Sequence, residues 1–227
     1  MSLAELQRAY GDLDGKELIA AMAGQAFPGR IAVTSSFGAE SAVLLDLVAE
    51  VDPGLPVLFL DTGELFDETL AYRDALVARL GLTNLRVVRP APADLTAAAE
   101  LWQSDTDRCC ELRKVRPLAA ASLGYAALID GRKRSHGFDR SDLGAIQAAG
   151  EVIKISPLWS WSADQIAAVF VERGLPAHPL VERGYRSIGC WPCTRPTAPD
   201  EPARAGRWPG SAKTECGIHV APLRTES

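Results

Sequence analysis

The sequence predicts an α/β fold: a parallel β-sheet flanked by helices and followed by an irregular C-terminal tail. Two observations predict it. Short apolar, β-branched runs alternate with stretches of helical period as far as residue 175. From Pro176 onward, Pro, Gly and Arg interrupt any such alternation. A chain of 227 residues, 47% hydrophobic and 23% charged, suits one domain whose core needs no disulfides. Residues 1–227 therefore read as a single domain, with an α/β core over about 30–175 and a tail over about 176–227.

The elements follow in order. Residues 1–15 place Leu3, Leu6 and Tyr10 on one face of a short amphipathic helix. Residues 30–35 (RIAVTS) make a strand that runs into Ser36-Phe37-Gly38-Ala39, and residues 40–51 repeat Val43, Leu44, Leu47 and Val48 at helical spacing. Residues 56–60 (PVLFL) read as a buried strand, Asp61-Thr62-Gly63 as a turn, and 65–80 as a helix stopped by Gly81. Residues 85–88 and 125–129 supply two more strands, and 152–155 an edge strand. A last helix spans 162–173, capped by Ser162 and stopped by Gly174. Apolar strands between helices imply a parallel sheet covered on both faces, whose ligands bind outside the carboxyl ends of the strands. Ser35 to Ala39 and Asp61 to Gly63 fall at such ends. The tail needs another means of support, for which a metal site is the obvious candidate.

Composition excludes several classes. The net charge of -5 gives no field that would recruit nucleic acid or an anionic membrane. The apolar runs are too short to span a bilayer. Residues 1–15 lack the basic and apolar segments of a secretory signal, so the chain is expected in the cytoplasm, where thiols stay reduced. Basic residues nonetheless cluster at Arg108, Arg113, Lys114 and Arg116, at Arg132, Lys133, Arg134 and Arg140, and at Arg204 and Arg207. Such clusters in an acidic chain suit a small polyanionic substrate.

The motifs sharpen this. Ser35-Ser36-Phe37-Gly38-Ala39-Glu40 joins a strand to a helix N-terminus, where amides and the helix dipole favour an anion. It lacks the Gly-Lys-Ser/Thr of a P-loop. It resembles the pyrophosphate loop of nucleotide α-hydrolases, with Phe37 and Ala39 replacing part of the usual set, which suits one phosphate rather than a triphosphate. The five cysteines divide into four and one. Cys109-Cys110 and Cys190-x-x-Cys193 offer four thiolates. Adjacent ligands sit awkwardly around a single tetrahedral zinc, whereas a [4Fe-4S] cube presents four separated corners. A disulfide between neighbours is disfavoured because their Cα atoms are too close. Cys216 stands apart in a polar segment between Lys213 and His219, a setting that favours thiolate.

Together these segments closely resemble the assimilatory adenylyl-sulfate (APS) reductases, the cluster-bearing branch of the APS/PAPS reductase family. The matching text is Ser-Ser-Phe-Gly-Ala-Glu at 35–40, Leu-Asp-Thr-Gly at 60–63 and Cys-Cys-x-x-Arg-Lys-Val-x-Pro-Leu at 109–118. It continues with Gly-Tyr-x-Ser-Ile-Gly-Cys-x-Pro-Cys-Thr at 184–194, Arg-x-Gly-Arg-Trp at 204–208 and Lys-Thr-Glu-Cys-Gly-Ile-His at 213–219. The resemblance implies a [4Fe-4S] cluster on Cys109, Cys110, Cys190 and Cys193, with Cys216 as nucleophile. It implies that Ser35, Ser36, Phe37, Gly38, Ala39 and Glu40, then Leu60, Asp61, Thr62 and Gly63, and the arginine loop with Lys133, Arg134 and Arg140, hold the adenylyl part. Lys114, Arg204, Arg207 and His219 match residues that face the phosphosulfate. The arginine loop departs from the family's Gly-x-Arg-Arg-x-Gln-Ser, since Lys133 and His136 replace Arg and Gln; lysine keeps the charge but not the bidentate fork. The implied reaction is attack of Cys216 on the sulfur of adenylyl sulfate, then release of sulfite by a thioredoxin or glutaredoxin-type dithiol. PAPS as substrate, an ATP-dependent nucleotide α-hydrolase and a non-enzymatic iron–sulfur regulator are the alternatives.

Overall fold

A computed structural model describes residues 1–137 and 140–219. Six strands form one sheet: β1 Ile31–Ser35, β2 Val57–Leu60, β3 Leu85–Val88, β4 Ala127–Ile129, β5 Ile146–Ala149 and β6 Val152–Ile155. The helices are α1 Leu3–Tyr10, α2 Gly15–Ala21, α3 Ser41–Val51, α4 Asp67–Leu80, α5 Pro92–Ala97, α6 Leu101–Ser104, α7 Thr106–Cys110, α8 Arg116–Ala121 and α9 Ala163–Glu172. The spatial order of the strands is β3-β2-β1-β4-β6-β5. β1 pairs in parallel with β2 and β4, β2 with β3, and β4 with β6. The chain therefore leaves β1 to one side and returns through β4 on the other. That reversal opens a crevice at the carboxyl ends of β1 and β4, where such sheets take ligands.

One expectation is corrected. The strand at 152–155 lies inside the sheet, between β4 and β5, and the edge is β5, antiparallel to it. Ile146-Gln147-Ala148-Ala149 has a single β-branched residue and no apolar run, so propensity alone does not mark it. Its partner in a tight hairpin does.

Both faces of the sheet are covered. Val33, Phe59, Ile129 and Ile155 pack against Leu6, Leu18, Val43, Leu76 and Ile166 from α1, α2, α3, α4 and α9. Ala32, Leu58 and Leu128 face a smaller cluster with Leu118 and Ala119 of α8, joined by Ile218 of the tail. The predicted caps hold: Ser162 forms a capping box with Gln165, and Gly81 takes the left-handed conformation that ends α4, with φ 65°.

Residues 106–121 form one continuous helix whose middle, Glu111–Val115, widens into a π-turn. Pro117 gives the reason: proline has no N–H and its ring would collide with the carbonyl one turn back, so the helix opens locally. Cys109, Cys110, Arg113 and Lys114 all sit on or beside this wide turn.

After α9 the described chain holds only short 3-10 turns at Val181–Arg183 and Trp191–Cys193. Beside the metal site expected to support it, protein contacts pin the tail at many points. The Trp191 amide donates to Glu64 O at 2.8 Å, and Leu65 bridges Cys190. Arg186 donates to Thr197 Oγ1 at 2.9 Å and to the carbonyls of Ala198 and Glu201. Arg204 reaches Thr214 O at 2.6 Å, and Lys213 pairs with Asp107.

Candidate active site

The crevice at the β1/β4 ends opens into a cleft lined from five directions. Ser35, Ser36, Gly38, Ala39 and Glu40 come from the β1–α3 loop, Leu60 and Thr62 from the end of β2, and Lys114 from the π-turn. Asp130, Arg132, Lys133, His136 and Arg140 follow β4, while Arg204, Arg207, Cys216 and His219 come from the tail. The structure thus gathers most of the residues that the sequence singled out. Four lie outside the lining. Phe37 is fully buried and meets Phe59 edge-to-face at 5.3 Å. Asp61 shapes its own turn, accepting from Gly63 N at 3.2 Å and from Arg89 Nε at 3.0 Å. Gly63, with φ 74°, permits that turn. Arg134 is exposed and donates to Leu143 O at 2.6 Å, with its guanidinium over the Trp159 ring.

The first loop owes its shape to Phe37. Its φ of 47° is uncommon for an aromatic residue. This turn drives the ring into the core and leaves Gly38 and Ala39 on the cleft. Helix α3 begins there with no side chain capping its first turn, which leaves dipole and amides for an anion.

Glu40 joins this loop to the arginine loop. One of its oxygens takes both Lys133 Nζ and His136 Nε2 at 2.8 Å. Burial pushes the carboxyl up, but the His136 hydrogen bond and the Lys133 charge outweigh it and hold its pKa at about 2. Arg140 NH1 lies 2.9 Å from His136 Nδ1. Arginine only donates, so Nδ1 accepts and Nε2 carries the proton toward Glu40. Burial, with Lys133 and Arg140 nearby, pulls the His136 pKa down, in keeping with a neutral ring. Lys133 is buried in its ion pair, so its charge is spent within the protein.

The tail brings a second set of charges. Arg140 Nε meets Glu215 at 2.6 Å, and Arg204 stands 3.5 Å from the same carboxylate. Burial and the Arg140 charge push the Arg204 pKa down to about 10. Arg207 lies against the Trp208 ring at 4.5 Å and over the α-carbon of Gly189, where any Cβ would collide with its guanidinium. His219 sits 3.6 Å from Asp130, and burial holds its pKa well below the usual histidine range.

Behind the cleft, Cys109, Cys110, Cys190 and Cys193 line a second, smaller cavity together with Arg113 and Lys114. All four thiols are buried, and Cys216 is half-buried on the cleft side. Among the described residues no three His, Cys, Asp or Glu side chains converge as ligands of one ion would. The thiols surround a space instead. A buried donor in its lining, Arg113 Nε, has no hydrogen-bond partner among the described residues, and a sulfur acceptor in the cavity would satisfy it. Four thiols around one space and an orphaned donor fit an iron–sulfur cube. Lys114 and Cys190 line both cavities and form the wall between them. Burial pulls the Lys114 ammonium toward deprotonation, yet the sulfurs of Cys190, Cys216 and Cys110 more than offset it, leaving its pKa above the usual range.

Sequence reasoning missed Asp130, its pairing with Arg132, and the anchoring role of Arg113, which donates to Thr62 O at 2.7 Å and meets Glu64 at 3.1 Å. The signal for Asp130 was available: Ile129-Asp130-Gly131 ends a strand as Leu60-Asp61-Thr62-Gly63 does.

Comparison with known proteins agrees with this geometry. The phosphoadenosine phosphosulfate reductase domain matches residues 30–196. An adenosine 5'-phosphosulfate reductase of Mesorhizobium japonicum is 49% identical, over 97% of this chain and 88% of its own. A phosphoadenosine 5'-phosphosulfate reductase of Gloeobacter violaceus is 40% identical over 96% and 94%. The phosphoadenylyl-sulfate reductase of Candida auris, solved as a phosphate complex, superposes with TM-score 0.70 at 29% identity, covering 83% of this chain and 94% of its own. With the domain match spanning most of the sequence and the predicted motifs meeting at one cleft, the chain belongs to the APS/PAPS reductase family.

Proposed function

We propose that the chain reduces adenylyl sulfate to sulfite and AMP through an S-sulfocysteine on Cys216, with a thioredoxin or glutaredoxin-type dithiol as reductant. One observation carries the reading: Cys216 opens into the same cleft as the anion-binding serine loop and the cations Lys114, Arg204 and Arg207. The Cys216 thiolate attacks the sulfonyl sulfur. The sulfur–oxygen bond to AMP breaks, and its electron pair leaves with the phosphate oxygen. Negative charge gathers on the sulfonyl oxygens and the departing phosphate, where fixed cations stabilise it. A dithiol then attacks the Cys216 sulfur, sulfite departs, and the second thiol resolves the mixed disulfide. The dithiol supplies both electrons, so atoms and charge balance without a further reductant.

Cys109, Cys110, Cys190 and Cys193 would hold a [4Fe-4S] cluster, which supplies a fixed local field and ordering of the neighbouring helix. Lys114, in the wall between the two cavities, presents its charge to the cleft. Neutral His219 offers a hydrogen bond at the tail end of the site.

Adenylyl sulfate is the preferred substrate over its 3'-phosphorylated form. The extra phosphate adds nearly two charges and needs its own basic contacts, whereas Lys133 is committed to Glu40 and Arg134 lies outside the lining. The names of the Gloeobacter and Candida relatives keep the alternative in play. Sulfite release by the holoprotein, with both nucleotides side by side, tests the reading. The expected result is a higher kcat/KM for adenylyl sulfate, and a Cys216→Ser variant that binds AMP but releases no sulfite. Substantial turnover by that variant would rule out the covalent route.

A further inference from the structure

Lys154 breaks the pattern of its strand. It lies between Ile153 and Ile155 on β6, opposite Leu128 of β4, and is 1% exposed. Its Nζ has no hydrogen-bond partner among the described residues. An ammonium buried this way is unfavourable unless a charge nearby offsets it, and such violations gather at functional sites.

The neighbouring carboxylate does not account for it. Asp130 follows Leu128 on the same face of the sheet and takes its hydrogen bonds from other groups. Its oxygens accept from Arg132 Nε at 2.9 and 3.1 Å, from the Arg132 amide at 3.1 Å and from Ser156 Oγ at 2.9 Å. Arg132 balances its charge. Lys154 is thus a surplus positive charge beneath the floor of the cleft, on the face where Ile218 of the catalytic segment packs. Ile218 is two residues from Cys216, so its packing brings the thiol's segment onto the sheet face that Lys154 shares with Leu128. Burial pulls the Lys154 pKa down, while Asp130 and the Cys216 sulfur push the other way.

We propose that Lys154 is a positioning residue whose buried charge draws the anionic end of the substrate onto Cys216. This rests on the reading of Cys216 as nucleophile. Lys114, Arg204 and Arg207 line the cleft itself, where solvent and salt screen them; Lys154 acts from below, where neither reaches.

The test compares alkylation of Cys216 in the holoprotein by iodoacetate, an anion, and by iodoacetamide, a neutral probe of like size, with the labelled site identified by mass spectrometry. The rate ratio of the two reports local potential and cancels differences in thiolate content. Lys154→Met should lower the ratio at least about threefold, the order expected on removing one buried charge at this range. Lys154→Arg should stay within about twofold of the original protein. If the Met variant does not fold, Lys154→Gln, polar but uncharged, is read the same way. In turnover, Lys154→Met should lower kcat and leave KM within about threefold, because nucleotide contacts lie elsewhere. An unchanged ratio, or a loss that Arg does not restore, overturns the proposal. Should the original protein release no sulfite, the functional reading falls, and the alkylation ratio still decides the charge at Cys216.

Discussion

Glu40 ties two loops together on one oxygen, and this explains how lysine and histidine serve at 133 and 136, where the family's text has Arg and Gln. Lys133 and His136 hold the loops to each other, a task that needs a donor and not a bidentate fork. The cations turned to the cleft are Lys114, Arg204 and Arg207. Lys114→Ala and Arg207→Ala should each lower kcat/KM at least about tenfold, equivalent to ~1.4 kcal/mol of transition-state stabilisation. Arg79 serves as the control, because its guanidinium caps the end of α9 at Gly174 O, 2.8 Å away and outside the cleft. Equal losses in all three variants would dismiss the cation cage. At this scale the sequence was legible wherever a residue's spacing reports its role, as in the division of the five cysteines. It was illegible wherever a role needs strand order. Nothing in the text places Lys154 beside Asp130 until β4 is known to pair with β6, or Arg113 against Thr62 until the helix at 106–121 is known to pack beside the end of β2.

Among the elements, strands that form long apolar runs and helices with a full apolar face were legible to within a residue or two. β5 was not, because an edge strand bears little burial. Nor were α2 and the short helices α5 to α7, which have too few turns to display a period. The π-turn at Glu111–Val115 was not foreseen, although Pro117 explains it once seen. The tail was read as irregular, correctly, but its anchors are side chains such as Arg186, which sequence cannot distinguish from any other surface arginine. These anchors alter what removal of a cluster ligand should do. The original protein is expected to carry iron and acid-labile sulfide near four each, and Cys193→Ser should abolish both. The substitution should leave the Arg186-centred turn folded and loosen mainly the segment around residues 190–193. Stoichiometric zinc without sulfide in anaerobically prepared protein would refute the cluster, and general unfolding of the tail would refute the anchors.

Across the whole molecule, all three histidines are held below their usual pKa. Burial does this at His136 and His219, and at His178 it brings the value to about 4. The unfolded chain binds protons at these sites near pH 6.5 and the folded chain only at lower pH, so stability is lost as pH falls from about 6.5 toward 4. Urea midpoints should decline across pH 6.5 to 5, before most carboxylates titrate; a flat profile there would contradict neutral histidines. The sheet order, and with it the cleft at the β1/β4 reversal, was legible only as a class of fold: alternating strands and helices imply some switch point without saying which strands flank it. How the tail reaches that point has a further consequence. The serine loop and the arginine loop meet through Glu40 and His136 at the ends of paired strands inside the sheet, whereas the thiol side of the cleft depends on irregular chain held by contacts such as Thr62 with Cys190 and Lys213 with Asp107. Irregular chain with few buried apolar contacts belongs to the low-stability end of a structure and opens before a sheet does. The strand-borne loops should therefore outlast, in local opening, the half bearing Cys216. A brief undocking of the tail would bare the sulfur to a bulky partner while the sheet beneath stays intact.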